Sequence, residues 1–335
     1  MPERFVPKAE SDTSQPVPGM TWEQVWTDTQ AFALAWSIVT LVWGLGVVTL
    51  VWWRRGQKLI LWPEQRFYLV PWGAFQVVVL MLVGIVLSSL CTQAISWPKQ
   101  WALWRFALVG VVEAVLFVWA PIRLLGIPAY QLGWNWRRWP ADVALAWLIW
   151  LLASPVTMAV WMAAVWFWPA EQHTLIEELR ATPSWLNALA LAITAIVLAP
   201  LAEEGLFRGL IQRKMAAEPL WADLTMLIAL CAAIVKGYRG TSWGPILFLV
   251  TAGPGYLAFE WMTWVLLPRP GLARAVYATS LIFAVLHANA WPAPVPLFFL
   301  SLFLGTLAAR TQSLLGPLLV HAVFNATTVL AVLMQ

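Results

Sequence analysis

Long apolar runs separated by short polar loops dominate the chain from residue 31 onward. Most runs are long enough to cross about 30 Å of hydrocarbon as a helix, and none alternates with the period of two that a barrel strand requires. The pattern therefore predicts an all-α, polytopic helical membrane protein with about 8–10 transmembrane helices in one bundle. The regular spans are Ala31–Trp53, Tyr68–Ile95, Phe106–Ile122, Asp142–Trp168, Trp185–Met215, Ala273–Ala288, Val295–Ala309 and Leu314–Met334.

The stretch Trp221–Leu267 departs from this pattern. Its first apolar segment is short for a span, and the Gly253-Pro254-Gly255 triplet interrupts the next run. Glycine and proline are the residues that most often break a helix. We therefore expect two short helices or a re-entrant pair there, and either arrangement returns the chain to the same side of the membrane.

The N-terminal residues differ from the rest in composition. Residues 1–30 mix acids, prolines and polar residues, and they lack the basic start and the small-residue cleavage site of a signal peptide. We predict a flexible, interfacial tail there. Residues 31–125 are predicted to be N-terminal transmembrane helices of unassigned role.

Composition supports a membrane protein and argues against a nucleic-acid partner. Of the 335 residues 61% are hydrophobic and 11% are charged, and the net charge is +4. The basic residues cluster at the ends of apolar runs, in alternate loops such as Arg54–Arg66 and Arg123–Arg138, whereas the loop Glu171–Arg180 is mostly acidic. Positive loops face the cytoplasm. We expect a multi-pass protein of the bacterial cytoplasmic membrane, with its N-terminus outside and the lipid bilayer as its surroundings.

Two adjacent carboxylates interrupt the fifth apolar run, in "LAPLAEEGLFRGLIQRKM". An ionisable group in a membrane helix costs about 2.5–3.5 kcal/mol on insertion scales, so it usually faces the bundle interior and has a function. Glu204 and Arg208 are four residues apart and can form an ion pair on one helix face, while Glu203 points about 100° away. We predict that Glu204 is occupied by Arg208 and that Glu203 is available for chemistry.

Two histidines lie deep in later apolar runs, and each has a companion on the same helix face. Phe283 precedes His287 by one turn in "FAVLH", and Asn325 follows His321 by one turn in "HAVFN". Counted at 1.5 Å per residue from the basic residues expected at the cytoplasmic side, Arg213, Arg310 and Arg274, the residues Glu203, His321 and His287 lie at depths of roughly 15, 17 and 20 Å. This agreement in depth indicates one shared site.

The same three motifs resemble those of a known family. "EEGLFRG", "FAVLH" and "HAVFN" occur in the order found in the CPBP family, which contains type II CAAX prenyl proteases and bacteriocin-processing or immunity (ABI) proteins. The resemblance covers about residues 130 to 335, so residues 126–335 are predicted to form a CPBP-like protease core. The interval from Arg208 to Phe283 is longer than in the family, which predicts an insertion at about 220–270.

The resemblance implies an intramembrane endopeptidase acting near the cytoplasmic side. It assigns Glu203 as the base that activates water with help from His287, and His321 and Asn325 as donors to the oxyanion. Glu204 and Arg208 would hold the geometry, and Phe283 would pack beside His287 and contact substrate. The substrate would be a peptide or membrane protein, for example a lipidated C-terminal tail or a leader peptide, and no cofactor is required.

Three other functions are compatible with the residues themselves. Glu203, His287 and His321 could ligate zinc in an intramembrane metalloprotease, although the sequence has no His-Glu-x-x-His motif. Glu113 and Glu203 could form the proton relay of a transporter, although no inverted repeat is evident. The chain could also be a non-catalytic scaffold or immunity protein.

Overall fold

The computed structural model describes residues 22–54, 70–93, 98, 101–168, 174–238, 243–267 and 270–334, and within these ranges the chain is helical without strands. The predicted all-α class is therefore confirmed. The helices are α1 Trp22–Trp53, α2 Ala74–Gln93, α3 Trp104–Arg123, α4 Trp139–Phe167, α5 Thr174–Ala181, α6 Trp185–Ala217, α7 Leu220–Tyr238, α8 Trp243–Met262, α9 Pro270–Leu286, α10 Pro294–Thr311 and α11 Leu315–Leu333.

Seven of these helices, namely α1–α4, α6, α10 and α11, are long and apolar enough to cross a membrane. Their side chains that face outward are large and apolar, as lipid contact requires. Helix α1 begins at Trp22 and so extends into the stretch assigned to the N-terminal tail; residues 1–21 lie outside the described residues. Multiple apolar helices make this an integral, multi-pass membrane protein.

Helices α6, α9 and α11 carry the predicted site residues, and α10 packs among them. Helix α10 packs between α9 and α4, while α11 packs against α1, α4 and the middle of α6. Helix α3 runs along another side of α6. The motif-bearing helix α6 is thus enclosed by helices from both the N-terminal and the C-terminal parts of the chain.

The predicted interruption at Gly253-Pro254-Gly255 is wrong, because α8 continues through Pro254 from Trp243 to Met262. Membrane helices tolerate proline where neighbouring helices satisfy the backbone. The carbonyl that Pro254 leaves without an N–H donor is that of Val250; the hydroxyl of Tyr277 on α9 donates to a neighbouring carbonyl, that of Ala252, at 2.9 Å and ties α8 to α9 beside the triplet. The stretch after α6 consequently forms two full helices, α7 and α8.

An ion-pair network joins these two helices to α9. Arg274 on α9 lies 3.1 Å from Glu260 on α8 and 3.3 Å from Asp223 on α7, and the Tyr256 hydroxyl donates to Asp223 at 2.7 Å. Glu260, which has no evident partner in the sequence, is therefore paired with a residue 14 positions away. The network fixes α7 and α8 to the core of the bundle.

The two ends of the bundle can be distinguished by their contacts. At one end the Leu314 amide donates to the Gly133 carbonyl at 2.9 Å, which joins the loop after α3 to the turn after α10. At the other end Arg105 pairs with Glu178 on α5 at 3.1 Å. The first end carries the basic loops and is therefore expected to face the cytoplasm.

Cysteine labelling tests this orientation. In a background with Cys91 and Cys231 replaced by alanine, a cysteine at exposed Arg137 should react with an impermeant reagent only from the cytoplasm. A cysteine at exposed Glu177 should react only from the opposite side. The reverse pattern would show that the N-terminus is inside. The site would then lie near the outer side of the membrane and not near the cytoplasmic side.

Candidate active site

The double-glutamate motif lies in a π-helical part of α6. Residues Glu204–Ile211 form a π-helix, and all eight are buried. A second π-helical segment, Thr194–Leu198, lies two turns earlier in the same helix. π-helical segments are rare, and many of them lie at functional sites. Their wider turn changes the direction in which side chains project.

The two glycines of the motif allow other parts of the chain to approach α6 closely. A Cβ at Gly205 would lie 2.9 Å from Cγ2 of Val118 and 3.2 Å from the carbonyl oxygen of Phe117. A Cβ at Gly209 would lie 3.3 Å from the carbonyl oxygen of Leu132. Larger residues at these positions would separate α6 from α3 and from the loop after it.

Glu204 and Arg208 form the buried ion pair that their spacing predicts. Arg208 Nη1 lies 2.9 Å from Glu204 Oε1, and neither side chain is exposed. Arg208 Nη2 also donates to the hydroxyl of Ser301 on α10 at 2.8 Å. A buried ion pair persists only when further hydrogen bonds compensate for desolvation, and Ser301 supplies one of them.

His321 connects the two glutamates. Its Nδ1 lies 2.8 Å from Glu204 Oε1, and its Nε2 lies 3.7 Å from Glu203 Oε2. Because Glu204 already accepts from Arg208, the shorter contact requires the proton on Nδ1. The Nε2 atom then faces Glu203 as an acceptor in the neutral ring, or as a donor when the ring carries both protons.

Glu203 differs from Glu204 in its surroundings. About a quarter of its side chain is exposed, 24% against 0% for Glu204, and its Oε2 is buried without a hydrogen-bond partner among the described residues. Glu113 on α3 interacts electrostatically with it and accepts a hydrogen bond from Ser88 at 2.9 Å. The expectation that Glu203 stays outside the ion pair is therefore confirmed.

Phe283 packs between the two predicted site histidines. Its ring centroid lies 4.8 Å from that of His287 and 5.8 Å from that of His321, and the Arg208 guanidinium lies 4.9 Å from the same centroid. The side chain is completely buried. Its contact with substrate stays a prediction, whereas its packing beside His287 is confirmed.

His287 follows the last residue of α9 and is partly exposed. Its Nδ1 lies 2.7 Å from the carbonyl oxygen of Phe283. A carbonyl oxygen only accepts, so Nδ1 carries the proton and Nε2 of the neutral ring is an acceptor. This tautomer suits a group that accepts a hydrogen bond from water.

Asn325 contacts the other π-helical segment of α6. Its Nδ2 donates to the carbonyl oxygen of Ala195 at 2.7 Å, which links α11 to α6 about two turns before Glu203. The amide nitrogen carries two hydrogens, and this bond uses one of them. The predicted donation to an oxyanion would require the second hydrogen.

Zinc ligation by Glu203, His287 and His321 stays an alternative prediction. Among the described residues, which include Glu203, His287 and His321, no three side chains of His, Cys, Asp or Glu are grouped so as to hold a metal ion. His321 lies near both glutamates, while His287 is connected to them only through the ring of Phe283.

Sequence analysis missed Ser301 as part of this cluster. It lies 93 residues from Arg208, so no local spacing relates the two. A signal was nevertheless present, because Ser301 is a polar residue within the apolar run "PLFFLSLFLG". Polar residues inside membrane helices usually form hydrogen bonds between helices.

The fold and this cluster define an integral membrane protein with a buried ionic site formed by side chains of its membrane helices. Residues 184–265 and 255–327 match the family model described as type II CAAX prenyl endopeptidase Rce1-like. Residues 184–327 therefore resemble this family of CAAX proteases, and the family suggested by the three motifs is confirmed for this part of the chain. Comparison with curated proteins and with solved structures gave no match.

The two matched segments overlap at residues 255–265, within the stretch predicted as an insertion. All of the predicted site residues, from Glu203 to Asn325, lie inside the matched region. By its description the matched family consists of endopeptidases, so a peptide hydrolase is the activity that the match implies.

Proposed function

We propose that this protein is an intramembrane endopeptidase that hydrolyses a peptide bond near the cytoplasmic side of the membrane. The observation that carries the proposal is the position of His321, whose two ring nitrogens face Glu204 and Glu203 inside the bundle. A carboxylate that fixes an imidazole, with a second carboxylate nearby, is an arrangement suited to proton transfer. The match of residues 184–327 to a family described as endopeptidases supports the same activity.

In the proposed reaction Glu203 takes a proton from water, and the hydroxide formed attacks the carbonyl carbon of the scissile peptide. His287, whose Nε2 is an acceptor, helps to hold the water. The negative charge on the carbonyl oxygen is stabilised by the Nε2 proton of His321 and by the second amide hydrogen of Asn325. Glu203 then returns its proton to the leaving amine as the tetrahedral intermediate collapses.

Glu204 and Arg208 are positioning residues in this scheme. The ion pair holds Glu204 Oε1 against Nδ1 of His321, and this contact keeps Nε2 directed toward Glu203. For Nε2 to donate to the oxyanion, His321 must carry both protons in the transition state. The fixed carboxylate of Glu204 stabilises that charged ring.

The substrates to be tested first are lipidated C-terminal tails, because the family is described as prenyl endopeptidases. Leader peptides and other membrane-protein tails are the second group. Proteomics of protein termini in the membranes of cells expressing the wild type or Glu203→Gln should reveal peptides cut only by the wild type. Arg137→Gln, a change at an exposed residue, serves as the control. Identical termini in all three strains would contradict a protease function.

We further propose that hydrolysis requires no metal. Asn325 is a poor zinc ligand and a good amide donor, and Glu203 acts as a base only while it is free of a metal. Purified protein should cleave its substrate at an unchanged rate after exhaustive chelation, and elemental analysis should find no stoichiometric zinc. If chelation abolished cleavage and zinc restored it, Glu203, His287 and His321 would have to be reassigned as ligands.

A further inference from the structure

Ser301 on α10 holds the guanidinium of Arg208 through a different nitrogen from the one that Glu204 uses. The hydroxyl oxygen of Ser301 accepts from Nη2 at 2.8 Å, while Glu204 Oε1 accepts from Nη1 at 2.9 Å. Both acceptors are completely buried, so neither hydrogen bond is weakened by competing water. Because the guanidinium is planar and rigid, it cannot turn without breaking one of these two bonds.

Phe283 on α9 adds a contact of another kind to the same guanidinium. Arg208 Cζ lies 4.9 Å from the centroid of the Phe283 ring, which is a cation–π distance. The ring attracts the positive charge as a whole, whereas hydrogen bonds depend on the direction of each N–H group. The direction of the guanidinium is therefore set by Glu204 and Ser301.

The direction of Arg208 matters for His321, because both residues donate to the same oxygen of Glu204. Glu204 Oε1 lies 2.9 Å from Arg208 Nη1 and 2.8 Å from His321 Nδ1. A guanidinium that turned would take this oxygen with it or release it, and Nδ1 would lose its acceptor. The other ring nitrogen, Nε2, would then no longer be directed toward Glu203, from which it lies 3.7 Å.

The position of α10 beside α6 does not depend on Ser301 alone. One turn further along both helices, Gln212 Nε2 donates to the carbonyl oxygen of Gly305 at 2.9 Å. A Cβ at Gly305 would lie 2.8 Å from Gln212 Oε1 and 3.0 Å from Val276 Cγ1, so this close approach requires glycine. Helix α10 should accordingly stay in place when the hydroxyl of Ser301 is removed, and the change should be confined to the guanidinium and the groups bound to it.

We propose that Ser301 is a positioning residue, which acts through Arg208 and Glu204 on the tautomer and the direction of His321. The inference rests on the proposed protease function, in which Nε2 of His321 faces Glu203 and the oxyanion. Without the hydroxyl, Nη2 is a buried donor without its acceptor, and buried donors normally find one. The guanidinium then turns, Glu204 follows it, and part of the His321 population takes up the tautomer with the proton on Nε2.

The first test is the nitrogen NMR spectrum of the full-length protein, isotope-labelled at histidine and recorded at a pH at which the imidazoles are neutral. The chain has three histidines, so single replacements assign every signal. In the wild type, Nδ1 of His321 should be protonated and Nε2 should not. In Ser301→Ala, the His321 signals should shift toward the form with the proton on Nε2. The His287 signals should stay unchanged, because its Nδ1 is held by the Phe283 carbonyl at 2.7 Å.

Cleavage of a lipidated peptide in vesicles gives the second readout. The kcat of Ser301→Ala should fall by about ten- to a hundredfold, the effect of losing one hydrogen bond to a charged group. The KM should stay within about twofold of the wild type, because Ser301 is completely buried and acts only through Arg208. Ser301→Thr keeps the hydroxyl and should restore both the kcat and the His321 spectrum.

Ser154→Ala is the matched control. Ser154 is a serine on α4 that is 1% exposed, and its hydroxyl accepts from Trp36 Nε1 on α1 at 2.6 Å. The variant loses the same kind of buried hydrogen bond between helices, but away from Arg208 and His321. It should lower the thermal midpoint and leave the His321 spectrum and the kcat unchanged, which separates loss of stability from loss of positioning.

Arg208→Lys keeps the test decisive if Ser301→Ala folds poorly. The lysine ammonium is a compact charge on a flexible stem, which can pair with Glu204 without the fixed direction that Ser301 gives the guanidinium. The His321 spectrum should therefore change in this variant as well. An unchanged spectrum in the folded variants would overturn the proposal, and so would a changed spectrum with an unchanged kcat. If the spectrum changed but the wild type itself cleaved no peptide, the effect of Ser301 on His321 would be supported and the protease function contradicted.

Discussion

Replacement of Glu203 by glutamine should abolish peptide cleavage and leave the amount of folded protein unchanged. The amide cannot accept a proton, and the loss of a general base typically lowers turnover by about 10²–10⁴. The fold should tolerate the change, because Glu203 takes no part in the ion pair with Arg208 and is partly exposed. Turnover of a lipidated peptide in vesicles and the monodispersity of the purified protein would be measured together.

Glu113→Gln is the matched control for this experiment. It is the same substitution in a carboxylate on α3 that interacts electrostatically with Glu203, and glutamine can still accept the hydrogen bond from Ser88. We expect this variant to retain cleavage. If Glu113→Gln were inactive and Glu203→Gln active, the base would have been assigned to the wrong carboxylate.

The helices could be predicted because lipid imposes a strong and simple pattern. Apolar length alone located five of the seven spans within about three residues of their observed limits, as for Trp185–Met215 against the observed Trp185–Ala217, whereas the starts of α1 and α2 were displaced by nine and six residues. The pattern failed at Pro254, because α8 continues through the proline while packed against α7 and α9. A break signal in the sequence is a local property, whereas its outcome is decided by tertiary packing.

In the site, too, a contact between residues close in the sequence could be predicted, whereas a contact between distant residues could not. The i, i+4 spacing was sufficient to predict the pair of Glu204 and Arg208, because four residues along a helix return to nearly the same face. The contact of His321 with Glu204 spans 117 residues; the shared depth and the likeness of the motifs predicted a common site but not this contact. The π-helical geometry of Glu204–Ile211 carries no recognisable sequence signal and was not predicted.

Removal of the buried cation should have the largest effect on folding. Arg208→Met would leave the carboxylate of Glu204 fully buried without its arginine, and breaking a buried ion pair on one side costs about 3–5 kcal/mol. This is a large fraction of the total stability of a typical domain. The folded yield and the thermal midpoint of Arg208→Met should both fall clearly below those of Glu203→Gln.

The double variant Glu204→Leu/Arg208→Met separates the structural role of the pair from its role in positioning. Replacing both charges with apolar groups of similar size is often neutral for stability, so the double variant should recover the yield lost in Arg208→Met. It should not recover cleavage, because Nδ1 of His321 loses the carboxylate that holds it at 2.8 Å. If the double variant recovered both yield and cleavage, His321 would need no orientation by Glu204. If Arg208→Met were obtained in the same yield as the wild type, the ion pair would not stabilise the fold.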